Sequence, residues 1–261
     1  MRRGTDDVKL KPRNFIKRHF GDPATRRRAW HRYLERKAAQ HGLHVYKSHL
    51  NWNLPGTFQD VAAEWGDTPG IPLDRCFFLW SAALWVRGNR IPGSTADCGV
   101  RYGRSTHFML RGLADAARPH HLFDSFAGLS RPGEQDHVSS RFAGQWEEGD
   151  LAVSEAEARA HLRKFGNCTF HAGWIPDTFA ELDPTERFAF VHVDVDLYEP
   201  TRACYEFFYQ RLSPGGLIVC DDYGLSSCPG ATKAVDEFVA DKPEALLDIP
   251  TSQVVLVRGI G

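Results

Sequence analysis

Two stretches of this 261-residue chain are apolar runs that break off in paired carboxylates. One is Phe188-Ala-Phe-Val-His-Val-Asp-Val-Asp-Leu-Tyr-Glu-Pro-Thr201, and the other is Leu217-Ile-Val-Cys-Asp-Asp-Tyr223. Apolar runs bounded by turn signals read as buried strands of a parallel sheet. In open α/β sheets, ligands bind beyond the carboxyl ends of such strands. Neighbouring strands ending this way bring up to four acids together: Asp194, Asp196, Asp221 and Asp222. That many negative charges repel one another unless a cation sits among them. The pattern predicts a divalent-metal site at the top of an α/β sheet.

The rest of the chain supplies that sheet. From Ser94 onward, strands and helices alternate. Ser94–Cys98 reads as a first strand, and Ser105 or Thr106 is the expected cap of a helix to about Ala117. His120–Phe126 is a second strand, and 127–152 a loop rich in Gly, Ser and Glu. Ser154-Glu-Ala-Glu157 has capping-box form and opens a helix to about Phe165. Thr169–Gly173 and Phe188–Asp194 are further strands, followed by a helix from Pro200 to Leu212. Ser213-Pro-Gly-Gly216 is a turn before the strand Leu217–Asp221. Ala231, Ala234, Val235 and Phe238 mark one helix face. Ala245–Ile249 and Gln253–Arg258 close the chain with no helix between them, so they should pair antiparallel. The expected fold is α/β: a doubly wound, mostly parallel seven-stranded sheet with an antiparallel C-terminal hairpin. Cys76–Arg87, apolar almost all round, is a buried helix leading into it.

Residues 1–75 differ in character and read as a basic, helical N-terminal extension. Residues 1–40 hold thirteen Lys/Arg against four acids, while the whole chain nets only −1. Such a block suits either a solvated face or contact with nucleic acid or an anionic surface, and the solvated reading is the better supported. Six cysteines show neither a C-x-x-C pair nor zinc spacing, which suits reduced thiols. The first residues lack a signal-peptide core, and no apolar run approaches membrane-spanning length. A cytoplasmic protein without membrane association is expected.

The turn after the first strand, Asp97-Cys-Gly-Val-Arg-Tyr-Gly-Arg-Ser105, spaces Gly99 and Gly103 for tight backbone turns beside a helix start. It is not the dinucleotide fingerprint. Asp124, with Ser125 after it, ends the second strand, where a carboxylate typically accepts ribose hydroxyls. Asp97 is placed to take a ligand ammonium group. Acid for ammonium, glycine backbone for the tail and acid for ribose together describe S-adenosylmethionine rather than NAD. Trp174 is a candidate for stacking on the adenine, and Asp177 either edges it or caps a helix.

With these pieces assembled, the chain resembles the macrocin O-methyltransferase family of class I S-adenosylmethionine-dependent methyltransferases. The resemblance covers about Ile91 to Val257. It rests on Ile91-Pro-Gly with Asp97-Cys-Gly-Val, Phe123-Asp-Ser-Phe-Ala-Gly-Leu129, Gly149-Asp-Leu-Ala-Val-Ser154, Gly173-Trp with Asp177-Thr178, Asp194-Val-Asp-Leu-Tyr-Glu-Pro-Thr201, and Leu212-Ser-Pro-Gly-Gly216 with Asp221-Asp-Tyr-Gly224. The chain departs from the family pattern at Asp97, Arg104, His192 and Val195, where Glu, Gly, Arg and a small residue are usual. The resemblance implies a methyltransferase domain over 76–261 and an acceptor lid in 1–75. It implies Mg²⁺-dependent methyl transfer to a hydroxyl of a small molecule, a sugar of a natural product. Asp194, Asp221 and Asp222 are then the expected metal ligands. Asp196 is the first candidate for the base, Asp194 the second and His192 the third. Asp196 has a rival role as cap of the helix near Pro200, and His192 as a satisfied core histidine. Tyr198 and Tyr223 are pocket or packing residues, and His107 is structural. Two other readings stand beside this one: a methyltransferase acting on RNA or protein through the basic arm, and a non-catalytic nucleotide-binding module. The missing Asn/Asp-Pro-Pro-Tyr motif argues against base methylation and so against nucleic acid. Self-association through the N-terminal region is left open.

Overall fold

The computed structural model describes residues 20, 22–41, 56–139 and 144–259. Most of the basic arm (1–19) and much of the aromatic-rich segment (42–55) lie outside the described residues. The chain divides into two compact units, Met1–Gln59 and Asp60–Gly261. In the first, helix α1 (Pro23–Ala39) begins where the Asp22 carboxylate accepts the Thr25 amide at 3.0 Å. The second starts within helix α2 (Thr57–Trp65). No described helix is long and apolar enough to cross a membrane.

The second unit is built on one seven-stranded sheet, ordered β3-β2-β1-β4-β5-β7-β6. Its strands are β1 (Ser94–Cys98), β2 (His120–Asp124), β3 (Cys168–Ala172), β4 (Phe188–Val193), β5 (Leu212–Cys220), β6 (Leu247–Ile249) and β7 (Gln253–Val257). The first five are mutually parallel, and β7 runs antiparallel to both β5 and β6. The order reverses direction beside β1, so β1 and β4 part their helices to opposite faces. This is the switch point where such sheets open a crevice.

Helices cover both faces. On one, α3 (Leu73–Gly88) and α4 (Arg104–Leu113) pack Leu79, Ala83, Val86, Met109 and Leu113 against Phe190, Val219 and Val255. On the other, α6 (Tyr198–Tyr209) and α7 (Pro229–Val239) pack Cys204, Phe208 and Val235 against Phe123, Val191 and Val193. Each fully buried Val, Leu, Met or Phe among these contributes roughly 1.5–3 kcal/mol. The short helix α5 (Glu155–Leu162) carries the capping box its sequence predicts, with Ser154 and Glu157 bonding reciprocally.

Two elements differ from the sequence reading. The expected turn Ser213–Gly216 lies inside β5, which pairs from Phe188↔Leu212 and then skips register to Phe190↔Leu217. A bulge absorbs the Pro-Gly-Gly run, as bulges do where one strand has surplus residues. Helix α4 is capped neither by Ser105 nor by Thr106. Gly103, with φ of +88°, is its N-cap and no side chain caps it. Both hydroxyls are drawn to a buried carboxylate instead.

Candidate active site

A cavity of about 300 Å³ opens at the carboxyl ends of β1, β2, β4 and β5, with Gly99, Asp124, Asp194 and Asp222 on its wall. Its shape at the β1 end depends on Gly99. At φ of +92°, a Cβ on this residue would lie 1.7 Å from the Asp194 carbonyl oxygen. Only glycine lets the β1 and β4 ends approach so closely.

At the β2 end, the Asp124 carboxylate accepts the Arg101 amide and the Phe126 amide, each at 2.7 Å. Burial raises its pKa against the pull of those amides. Each of its oxygens keeps lone-pair capacity for a ligand hydroxyl. Ser125 also lines the cavity, but its hydroxyl donates to the Gly128 carbonyl at 2.8 Å and accepts the Ala127 amide at 3.1 Å, shaping the turn. Trp174 lies on the rim, 44% exposed, and is free to stack on a ligand. Asp177 is exposed at the start of a short 3-10 turn, Asp177–Glu181, and is not on the cavity wall.

Asp97 is where sequence and structure part most clearly. It does not reach the cavity and has no accessible surface. One oxygen accepts the hydroxyls of Ser105 at 2.7 Å and Thr106 at 2.5 Å, and the other bonds His192 Nδ1 at 2.8 Å. Its side chain points to the α3–α4 face, and a strand end alone does not say which face is wet. The other nitrogen of His192 lies 3.3 Å from Asp221. Asp221 in turn accepts Arg75 Nη1 at 2.5 Å and Gln253 Nε2 at 2.6 Å. A continuous buried network therefore runs from α4 through β1, β4 and β5 to α3 and β7. Burial works against charge on His192, yet Asp97 and Asp221 outweigh it and hold its pKa well above the ordinary value. Burial also opposes ionisation of Asp97 and Asp221, but their partners keep both below the usual carboxylate range. His192 has no open face and both nitrogens are engaged, so it cannot serve as a base toward a ligand.

Asp194, Asp196 and Asp222 form the acidic wall of the cavity. The Asp196 backbone takes φ of +60°, and its amide donates to Asp222 Oδ2 at 2.9 Å. This turn brings the Asp196 side chain to the cavity instead of capping α6, whose N-cap is Leu197 without a side-chain bond. Burial, followed by the Asp221 and Asp222 charges, lifts Asp194 well above its ordinary pKa. Burial and then Asp196 and Asp221 do the same to Asp222. Burial raises Asp196 to about 6, moderated by the Cys228 thiol 3.5 Å away. The acids fall into two groups whose ligand atoms lie within 4.8 Å of one another: His192, Asp194 and Asp221, and Asp196, Asp222 and Cys228. Among the expected metal residues, Asp194 and Asp222 share the wall, while Asp221 stands behind it in the buried network.

Several residues of this site carry no sequence signal of their own. Arg75 reaches Asp221 across 146 positions from the first turn of α3. Gln253 approaches from β7. Asp136, inside the long loop, accepts the Tyr198 and Gly133 amides at 2.8 Å each and fastens that loop to the start of α6. Tyr198 and Tyr223 are absent from the wall, their hydroxyls bonding Glu237 and Asp236. His107 is structural, bonded to the Val61 carbonyl at 3.0 Å.

A doubly wound sheet in this order, closed by an antiparallel hairpin, with a cavity at its switch point, defines the class I methyltransferase fold. A family profile described as macrocin-O-methyltransferase (TylF) matches residues 73–253, more than half of the chain. The chain belongs to that family. It is 36% identical over 154 residues to an 8-demethyl-8-(2,3-dimethoxy-alpha-L-rhamnosyl)-tetracenomycin-C 4'-O-methyltransferase of Streptomyces olivaceus, covering 56% of this chain and 59% of the relative. It thus spans about three fifths of that relative's length. The solved structure of the O-methyltransferase NovP is similar with a TM-score of 0.62 and 29% identity, over 77% of this chain and 88% of that one. An O-methyltransferase from Bacillus cereus, solved in complex with SAH, shares the fold with a TM-score of 0.52 and 16% identity, over 81% and 94%.

Proposed function

We propose that the chain is an O-methyltransferase that moves the methyl group of S-adenosylmethionine to a hydroxyl on the sugar moiety of a natural product, with Mg²⁺ at the acidic wall. The observation that carries this reading is the convergence of Asp194, Asp196 and Asp222 on a cavity whose far side carries Asp124. The B. cereus relative's complex with SAH and the sugar-directed name of the S. olivaceus relative support the same choice.

The donor set fits Mg²⁺. The wall offers hard carboxylate oxygens; burial and then their mutual charge raise their pKa values, and a cation would relieve the charge. Asp194 and Asp222 face the cavity, one from each ligand group, and would hold the ion between them, with Asp221, grouped with Asp194, behind. The bound ion supplies positive charge that lowers the pKa of a nearby acceptor hydroxyl.

The chain's own residues do the rest. Asp124 fixes the ribose, and the Gly99 turn lets the cofactor tail pass close to the backbone. Asp196, with a pKa of about 6, is ionised at neutral pH yet still basic enough to take the hydroxyl proton. The acceptor oxygen forms a bond to the methyl carbon as the carbon–sulfur bond breaks. The electron pair stays on sulfur, S-adenosylhomocysteine leaves, and Asp196 keeps the proton. Holding the reactants in line converts a bimolecular step into one within a complex.

Calorimetry of metal-stripped protein with S-adenosylhomocysteine, then with Mg²⁺, tests the reading. Nucleoside binding followed by a Mg²⁺ isotherm that Asp222→Asn abolishes is expected. Nucleoside binding with no Mg²⁺ isotherm would leave the cofactor but overturn the metal.

A further inference from the structure

The start of α4 lies on the cavity wall and its normal caps are elsewhere. No side chain caps the helix, and the Ser105 and Thr106 hydroxyls are committed to Asp97. The side chain that remains there is Arg104, which lines the cavity. It forms no ion pair with any acid among the described residues, although the cavity holds several carboxylates. Its Nε is buried without a partner. The opposite wall makes room for it: a Cβ on Gly70 would lie 2.7 Å from Arg104 Cδ. A guanidinium held in a cavity beside uncapped helix amides, with no carboxylate of its own, is a receptor for an external anion.

We propose that Arg104 binds the amino-acid carboxylate of the cofactor, an assignment that rests on the S-adenosylmethionine reading above. A cofactor with its ribose at Asp124 and its sulfonium facing the acidic wall must run its tail along the β1 end. Gly99, Val100, Arg101, Tyr102, Arg104 and Ser105 line it there, and of the two arginines Arg104 is the one on the helix start. Asp97 is sealed from the cavity and cannot meet the tail's ammonium group, so recognition of the tail falls to its carboxylate. Arg104 thereby distinguishes the complete cofactor from a nucleoside lacking the amino-acid end.

Calorimetry with two probes tests this on the full chain. S-adenosylhomocysteine carries the carboxylate; 5'-methylthioadenosine keeps the adenosine and sulfur but lacks it. Arg104→Gln should weaken S-adenosylhomocysteine by about tenfold or more and leave 5'-methylthioadenosine within about twofold, which also reports that the variant is folded. Arg104→Lys, keeping the charge, should recover most of the loss. Equal loss for both probes, or no loss for either, overturns the assignment. If S-adenosylhomocysteine is unaffected while inorganic diphosphate, bound by the wild type, is lost, the anion belongs to the acceptor and the proposal fails. Wild-type protein that binds neither nucleoside overturns the cofactor reading beneath it.

Discussion

His192→Leu tests the buried network most severely. The imidazole bonds Asp97 at 2.8 Å and Asp221 at 3.3 Å, and all three side chains are fully buried. Leucine fills similar space but removes the cation between two carboxylates. Deleting one partner of a buried ion pair costs about 3–5 kcal/mol. Here each orphaned carboxylate keeps other donors: Ser105 and Thr106 on Asp97, Arg75 and Gln253 on Asp221. The expected loss is therefore at the lower end, about 3 kcal/mol. In a domain of this size each kcal/mol moves Tm by roughly 2–4 °C, so Tm should fall by about 6–12 °C. Urea denaturation at pH 7 and calorimetric melting both read this. The pH dependence has a defined sign. The His192 pKa is raised from 6.5 in the fold, so its contribution is complete below 6.5 and is lost as pH rises through the elevated folded value. Asp97 and Asp221 are lowered from 3.8, so theirs is present above 3.8 and is lost as pH falls through the folded values. The stability gap between wild type and variant should thus be widest between these limits. A loss below about 1 kcal/mol at pH 7 would refute the claim that His192 is a structural cation.

Other substitutions separate the remaining roles. Asp196→Asn should retain S-adenosylhomocysteine binding, read by calorimetry, but lower kcat by on the order of 10²–10⁴. Asp124→Ala should weaken S-adenosylhomocysteine by about tenfold through lost ribose bonds, measured by calorimetry against an unchanged Mg²⁺ isotherm. Gly99→Ala sets a Cβ against the Asp194 carbonyl and forces alanine to φ of +92°; strain of about 1–3 kcal/mol adds to the overlap, so both Tm and nucleoside affinity should drop. Retained affinity in that variant would show that the β1–β4 approach is not needed for binding.

Much of the fold was legible because β4, the second half of β5 and β7 are mainly apolar runs and the shorter strands alternate with helices across Gly, Pro and cap signals. The hairpin followed from the missing helix between the last two strands. The β5 bulge was hidden because Ser213-Pro-Gly-Gly216 is locally a turn, and only pairing with β4 draws it into the strand. At the site, Asp124, Asp194, Asp196 and Asp222 were readable from strand ends. Asp97 and Asp221 stand at strand ends too, yet their side chains turn into the α3–α4 face. Sequence could not weigh that, because their partners are far away in the chain: His192 lies 95 positions from Asp97, and Arg75 lies 146 from Asp221. Arg104 was visible as a departure from the family pattern, but its lack of an acid partner is a property of the packed cavity alone.

On the reading proposed above, metal and cofactor share one cavity, with Asp194 and Asp222 at one end and Asp124 at the other. Crystals grown with S-adenosylhomocysteine and Mn²⁺ in place of Mg²⁺ would locate the ion by its anomalous scattering. One strong peak bounded by Asp194 and Asp222 is expected, in the same cavity as the nucleoside and with Asp124 on its ribose. Nucleoside bound there with no peak at those carboxylates, or a peak at a separate place, would contradict it.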